Sequence, residues 1–483
     1  MTHSDLKQKT IRGFVWSSLE SILSQGLGIV IGIVLARILS PDDFGLVGMV
    51  TIFISVSQVF VDSGLSLSVI RKQNCTQADY STVFWINFMI GAACYLIIWI
   101  TAPFIADFYG KPQLIPLTRI ISLSIIITSF TLVQQTMLTK NVDFKILTKS
   151  SVAGTLISGA VAVWLACKGF GAWSLVWRTV INQAVRSAVL WSHNRWKPDF
   201  TCSRKAFAEH FSFGSNILLI YTISSVYKNI SYLIIGKTYA EKILGYYTNS
   251  DQYSTMFSTA ISNITNRVSY PVMSAIQDDR ERLVAAVRKI MANVMYASFV
   301  AMFGLAAVAK PLIETVLGEK WMPAAIIFQV LCLAYSTNPM HIINQNIMKV
   351  MGRTDLFLKS EIIKHVMMTP FLILGIFYGL EVIIAGIVAF YWGGFLIMAM
   401  YSKQLVGYST ISQLCDMFPL FAVSFVPAVA VVAFGELVNM PPLLLLFIQG
   451  TSYISLTLLF SIIFKLPAFH EIKNIISDRL AYR

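Results

Sequence analysis

Charge is scarce in this 483-residue chain: Asp, Glu, Lys and Arg make up 13% of it, where a soluble domain carries roughly 25%. That shortfall excludes an ordinary water-exposed globule. Several chemical signatures are missing as well. There is no phosphate loop of the form GxxxxGK(S/T), no HExxH metal helix and no GxSxG nucleophile elbow. A nucleotide-driven pump with its own ATP site, a zinc peptidase and an α/β-hydrolase are therefore disfavoured, and neither metal nor cofactor is expected. The six cysteines (Cys75, Cys94, Cys167, Cys202, Cys332, Cys415) are scattered, with no CxxC or other metal-like spacing. They imply no disulfide framework. The polar start, Met1 to Thr10, runs straight into apolar sequence with no short core and small-residue cleavage site. The first apolar segment is accordingly expected to stay in the membrane.

Hydrophobic residues are abundant instead, at 56%, and they cluster in runs of 18 to 25. Such runs match the ~30 Å hydrocarbon core of a bilayer. Charges and Gly/Pro turns divide the chain into fourteen predicted spans. These lie near 13–36, 44–68, 81–103, 114–136, 148–167, 171–192, 212–236, 246–269, 286–309, 323–347, 357–378, 381–402, 412–434 and 442–464. With the first residue inside, the cytoplasmic segments and adjoining helix ends hold 27 of the 37 Lys and Arg, including Arg186 and Lys364, and the outer segments hold 7. Arg119, Arg178 and Lys228 remain within spans. The positive-inside rule then places both termini in the cytoplasm, as an even number of spans requires. The net charge of +13 is a topology signal, not the footprint of a nucleic-acid partner.

A repeat is visible at an offset of 200 residues. Leu35-Ala-Arg37-Ile-Leu-Ser-Pro-Asp-Asp-Phe-Gly45 parallels Ile235-Gly-Lys237-Thr-Tyr-Ala-Glu-Lys-Ile-Leu-Gly245. Asn141 to Ser150 likewise parallels Arg353 to Ser360 once a small gap is allowed. Two hundred residues is six spans, an even number, so the two halves share an orientation, as in parallel-repeat transporters. The expected organisation is an N-terminal lobe (1–192), a cytoplasmic linker (193–211), a C-terminal lobe (212–402), and two last helices with a tail (403–483).

Polar residues recur at helical spacing inside several spans. The first carries Ser17, Glu20, Ser21, Ser24 and Gln25; the second Thr51, Ser55, Gln58, Asp62 and Ser66. The seventh carries Tyr221, Ser224, Ser225, Lys228 and Asn229. The eighth carries Asp251, Thr255, Ser258, Ser262 and Asn266, with Gln252, Thr259 and Asn263 beside them. Such stripes fit either polar glue between helices or a wet cleft shared by the two halves. Their pairing across the repeat favours the cleft. Lys228 lies roughly 10 Å inside its span at about 1.5 Å per residue, and Arg119 and Arg178 sit in the same outer half. Each cation either snorkels to the interface or faces the cleft. An unpaired charge in hydrocarbon costs at least ~2.5–3.5 kcal/mol on insertion scales, which an anionic ligand would relieve. The expected substrate-binding set is Lys228, Arg119, Arg178, Gln25, Gln58, Asn229, Gln252 and Asn263, with Glu20 and Asp62 as candidates for ion coupling. His341, Asn344, Gln345 and Asn346 read as the hydrated end of the tenth span.

Lys9-Thr-Ile-Arg-Gly13-Phe-Val-Trp16, followed by the Leu35 to Gly45 segment, resembles the opening of bacterial polysaccharide flippases. The resemblance is to the WzxC/TuaB-like branch of the polysaccharide transporter family, in the multidrug/oligosaccharidyl-lipid/polysaccharide (MOP) exporter superfamily. Asp62-Ser-Gly-Leu65, Val142-Asp-Phe144-Lys and Gly169-Phe-Gly171-Ala-Trp173 extend it. It implies an all-α, MATE/MurJ-like bundle of fourteen helices in the bacterial inner membrane, moving polyprenyl-pyrophosphate-linked oligosaccharides, with a polymerase or glycosyltransferase as a further partner. The rivals are a MATE-like drug/cation antiporter, an integral-membrane glycosyltransferase, polymerase or ligase, and a lipid scramblase or structural membrane protein.

Overall fold

This computed structural model describes residues 3–62, 64–72, 75–141, 143–194, 196–201 and 203–471. Several sequence readings fall outside them: Ser63 and Val142 of two motifs, Arg195, Cys202, the side chains of Ser17 and Ser21, those of the basic N-terminal residues, and the tail after residue 471. Every regular element among the described residues is helical. Two compact units are present, Met1–Thr248 and Asn249–Arg483.

The first unit comprises α1 (His3–Ile38), α2 (Pro41–Asp62), α3 (Leu65–Arg71), α4 (Gln77–Tyr109), α5 (Leu114–Ile121), α6 (Leu123–Lys140), α7 (Phe144–Cys167), α8 (Ala172–His193), α9 (Arg204–Thr238) and the opening of α10 (Glu241–Ala275). The second holds the rest of α10, then α11 (Arg280–Ala307), α12 (Ala309–Val316), α13 (Ala324–Tyr335), α14 (Asn338–Val350), α15 (Thr354–Tyr378), α16 (Leu380–Val406), α17 (Thr410–Leu437) and α18 (Pro442–Ile463). Ten helical segments among the described residues are long and apolar enough to cross a membrane, with α5–α6 and α13–α14 each counted as one. The chain is a multi-pass membrane protein. Helices α8 and α10 fall outside the ten because Arg, Asn, Ser and Thr interrupt them.

Helix starts follow local chemistry. Ahead of α2, the Ser40 amide and hydroxyl donate to Asp43 Oδ2 at 2.9 and 2.7 Å, while the Asp43 amide returns to Ser40 Oγ at 3.3 Å. Thr76 and Asp79 form the same reciprocal box ahead of α4. The predicted second span is shorter than expected because Gly64, at φ 66°, turns the chain after α2 and starts α3. The linker after α8 is bolted to the start of α4. Gln77 Nε2 donates to the Lys197 carbonyl at 2.8 Å, Trp85 Nε1 to that of Asp199 at 2.9 Å, and the Asp199 amide to Ser81 Oγ at 3.0 Å.

Breaks inside membrane helices expose carbonyls that have no water to turn to. Between α13 and α14, Pro339 lacks the N–H that would bond the Tyr335 carbonyl. Ser258 Oγ on α10 donates there instead, at 2.9 Å. At the same break the carbonyls of Ser336 and Leu333 accept from Ser298 on α11 (2.6 Å) and Trp392 Nε1 on α16 (2.9 Å).

The 200-residue repeat has a physical counterpart within the first unit. A Cβ on Gly45 of α2 would overlap the carbonyl oxygen of Glu241, and one on Gly245 of α10 would overlap that of Pro41. Positions 41 and 45 thus meet positions 241 and 245 reciprocally, as a local two-fold demands. Lys111 Nζ clasps Glu241 Oε1 at 2.6 Å beside this crossing. Gly45→Ala and Gly245→Ala should each lower the melting temperature in detergent by several degrees, since overpacking costs about 1–3 kcal/mol. Gly26→Ala, with nothing within 4 Å of its new Cβ, should leave it unchanged or raise it. Equal effects at all three positions would contradict the crossing.

Candidate functional site

Arg119, expected in the cleft, is held by its neighbour α4. Pro103 lies inside α4 and cannot supply the N–H that would normally bond the Trp99 carbonyl. Arg119 Nε donates to that carbonyl at 3.3 Å, and the guanidinium carbon lies 4.0 Å from the centroid of the Trp99 ring. One side chain therefore fills a backbone vacancy and forms a cation–π contact. Arg178 comes from α8, which packs on α5, and is half-buried with interactions of its own. Lys228 on α9 differs from both. It is exposed, and no hydrogen bond or ion pair involves it among the described residues. Its neighbour Asn229 is buried and donates to the Ser225 carbonyl at 2.8 Å.

The α1 stripe meets α7 and α8. Ser151 Oγ of α7 donates to Glu20 Oε1 at 2.7 Å. Arg186 of α8 crosses Gly154 of α7, 2.7 Å from where a Cβ would stand, and lies in the electrostatic field of Glu20. Arg186, counted from sequence with the cytoplasmic segments and adjoining helix ends, is half-buried and feels the charge of Glu20. Gln25 and Gln58 are half-buried on α1 and α2. Asp62, the last residue of α2, lies against Ser66, yet its Oδ1 meets no hydrogen-bond partner among the described residues.

In the second unit the α10 stripe divides into two faces. Asp251, Ser254, Ser258 and Ser262 are buried against α13 and α14. The Tyr335 hydroxyl donates to Asp251 Oδ1, Ser254 Oγ lies 3.7 Å from Cys332 Sγ, and Asn338 Nδ2 donates to Ser258 and Ser262 at 3.2 Å each. That face is helix glue. Gln252, Thr259, Asn263 and Asn266 form the exposed face, although Asn266 Oδ1 also accepts from Asn346 at 2.9 Å. The predicted ligands Gln252 and Asn263 thus lie on the open side. His341, Asn344 and Asn346, read from sequence as a hydrated helix end, are buried and bonded. Ser402 Oγ donates to Asn344 Oδ1 at 2.6 Å, and His341 Nε2 lies 2.7 Å from the Tyr391 carbonyl.

Sequence reasoning missed one cluster outright. Lys364 was counted with the cytoplasmic cations, yet it is 3% exposed and sits 2.7 Å from Glu361, with His365 beside them on α15. The available signal was Glu361-Ile-Ile-Lys364-His365: an acid followed by bases three and four positions later, one helix face, inside an apolar segment.

Two motifs noted in the sequence prove to be paired clamps. The Asp43 carboxylate stands 2.7 Å from where a Cβ on Gly171 would be, which joins the Pro41 to Gly45 motif to the Gly169 to Trp173 motif. Thr148 Oγ1 donates to the Trp16 carbonyl at 3.1 Å and Lys145 Nζ lies 5.9 Å from the Trp16 ring, which joins the first motif to the start of α7.

The role assigned to Arg119 is testable by a double-mutant cycle. Arg119→Ala should destabilise the detergent-solubilised protein by about 1.5–3 kcal/mol, the range for a charged hydrogen bond. In a Pro103→Ala background, where α4 supplies its own N–H, the cost should fall by half or more. Equal costs in both backgrounds would show that Arg119 does not serve that carbonyl.

Comparison with known proteins bears on most of the chain. A family described as "Polysaccharide biosynthesis protein" matches residues 34–326. The chain is 24% identical to the lipopolysaccharide biosynthesis protein WzxC of Escherichia coli (strain K12), over 77% of this chain and 76% of that protein. It is 28% identical to the succinoglycan biosynthesis transport protein ExoT of Rhizobium meliloti (strain 1021), over 68% of this chain and 66% of that one. Among solved structures, the lipid II flippase MurJ in an inward closed conformation superposes with a TM-score of 0.75 at 15% identity, covering 93% of this chain and 98% of its own. That likeness establishes the fold. With more than half of its length matched, the chain belongs to the polysaccharide biosynthesis protein family.

Proposed function

We propose that this protein is a flippase that moves a polyprenyl-pyrophosphate-linked oligosaccharide across the bacterial inner membrane for cell-surface polysaccharide assembly. The observation that carries the reading is Lys228, an exposed ammonium within a long helix of a multi-pass protein, with no partner among the described residues. A diphosphate supplies the missing anion through charge-assisted hydrogen bonds. The exposed amides Gln252 and Asn263 and the half-buried Gln25 and Gln58 would solvate sugars, with the buried Asn229 beside Lys228, while the polyprenyl tail stays in lipid. Arg178 is the second cation of the set. Arg119, already bonded to Trp99, acts on the substrate only if it leaves that contact. The names of the relatives, polysaccharide biosynthesis and transport, point the same way.

In this reading fourteen helices cross the membrane, with both termini cytoplasmic. The lobes 1–192 and 212–402 rock about the substrate, joined by the linker 193–211 and followed by the last two helices and tail, 403–483. A polymerase or glycosyltransferase acts before or after the flip, and the chain itself catalyses no bond chemistry. Glu20 and Asp62 are the ion-coupling candidates of the first half.

Two observations weigh against the rivals. A drug/cation antiporter needs several free acids, but Glu20, Asp251 and Glu361 are engaged by Ser151, Tyr335 and Lys364, and Asp62 alone of these four keeps a buried oxygen unbonded among the described residues. A lipid-sugar enzyme needs a catalytic outer loop, but residues 310–322 fold into α12 and a short turn that ends on the fully buried Trp321.

In proteoliposomes loaded with a polyprenyl-pyrophosphate oligosaccharide, the wild type should expose the glycan to an outside probe. Lys228→Ala should slow this about ten-fold without altering insertion, the worth of one charged hydrogen bond. An unchanged rate would remove Lys228 from the site, and no flipping by the wild type would overturn the function.

A further inference from the structure

At the turn between α3 and α4 a thiol and an amine are held against each other, and neither serves the binding reading above. Lys140, the last residue of α6, turns its ammonium to the end of α3, where the final carbonyls have no partner within their own helix. Its three N–H groups have three acceptors: the Val69 carbonyl at 3.0 Å, the Lys72 carbonyl, and Cys75 Sγ at 2.9 Å. The Cys75 thiol lies on the same two carbonyls, 3.4 Å from that of Val69 and 3.5 Å from that of Lys72. Sulfur and nitrogen are thus fixed side by side over one helix end, although 65 residues separate them in sequence.

The acid nearby is already committed. Asp79 Oδ1 holds Lys72 Nζ at 3.0 Å, and Asp79 Oδ2 accepts from the Thr76 amide at 2.8 Å and the Thr76 hydroxyl at 3.0 Å. Among the described residues the side chain that Lys140 meets by hydrogen bond is therefore the sulfur and not a carboxylate. The Tyr80 ring lies 6.0 Å from Lys140 Nζ. Leu65, Val69 and Val83 form the apolar cluster on which Cys75 packs. Both Cys75 and Lys140 are half-buried, which leaves access for a small oxidant.

A cation beside the sulfur is a usual feature of reactive thiols, and a sulfenic acid condenses with a nitrogen placed next to it. We propose that Cys75 and Lys140 are a redox-modifiable pair, joined by a reversible sulfur–nitrogen cross-link when hydrogen peroxide reaches them. In the first step the peroxide oxidises the sulfur by two electrons. The O–O bond breaks, one oxygen stays on Cys75 as a sulfenic acid, and the other leaves as water. In the second step Lys140 Nζ attacks that sulfur: the S–N bond forms and the S–O bond breaks. One ammonium proton leaves with the hydroxyl as water, and a second passes to solvent. Two equivalents of a thiol reverse the change, restoring the Cys75 thiol and the Lys140 amine and departing as a disulfide. The cross-link ties the end of α6 to the turn that joins α3 to α4.

The test is read on the protein alone, so its failure leaves the flippase reading standing. Full-length wild type in detergent is treated with hydrogen peroxide, digested with trypsin and analysed by mass spectrometry. The peptides holding Cys75 and Lys140 should emerge joined, about 2 Da lighter than their sum and uncut after Lys140, and dithiothreitol should separate them. Lys140→Arg keeps the cation on a poor nucleophile. It should give no joined peptide, and its Cys75 should instead be trapped by dimedone as the sulfenic acid. The exposed Cys415 is a control in the same sample, with a dimedone adduct expected and no joined lysine. Should Lys140→Arg fail to fold, the wild type alone decides, because the joined peptide either forms or does not. Wild-type peptides that are never joined, or a Cys75 that dimedone traps as fully in wild type as in Lys140→Arg, overturn the proposal.

Discussion

The constraint on which this structure depends is the lack of water inside a bilayer: a backbone carbonyl released by a helix break has to find a donor from the protein. Two prolines show the consequence. Pro103 releases the Trp99 carbonyl and Arg119 answers it; Pro339 releases the Tyr335 carbonyl and Ser258 answers it. In each case the donor comes from another helix, so the same bond that repairs one helix fixes its neighbour. Much of the polar content of these spans is explained in this way before any ligand is invoked. What remains after that subtraction, Lys228 and the open face of α10, is a smaller and more informative set.

Family motifs gain a physical meaning in the first unit. Asp43 closes the start of α2 and presses on Gly171, while Trp16 is gripped by Thr148 and Lys145. Gly45 and Gly245 let two helix starts cross at backbone distance. These residues hold the first unit together, so the motifs that identify the family are accounted for by packing.

How much could be read beforehand follows from what hydropathy can see. Long apolar runs placed a helix at every predicted span, and the offset of 200 residues located the reciprocal glycines. Hydropathy does not report which way a polar face turns. Asp251 and Gln252 are adjacent in sequence, yet one is bonded to Tyr335 and the other is exposed, because α13 and α14 cover only one side of α10. A tally of basic residues is blind in the same manner. Lys364 and Arg186 were counted with the cytoplasmic segments and adjoining helix ends, and a glycine opposite each, Gly394 and Gly154, gives its long stem room to lie between helices. Only the packing reveals such a vacancy.

The central claim is that the Lys228 side chain meets the diphosphate of a lipid-linked sugar in a watery place. The most direct measurement introduces Lys228→Cys into a background without other cysteines and follows its reaction with a charged, membrane-impermeant thiol reagent in sealed vesicles. The account predicts that the thiol reacts from the aqueous phase, and that polyprenyl-pyrophosphate oligosaccharide slows the reaction while the polyprenol alone does not. A thiol that reacts only with lipid-soluble reagents, or one indifferent to the pyrophosphate, would contradict it.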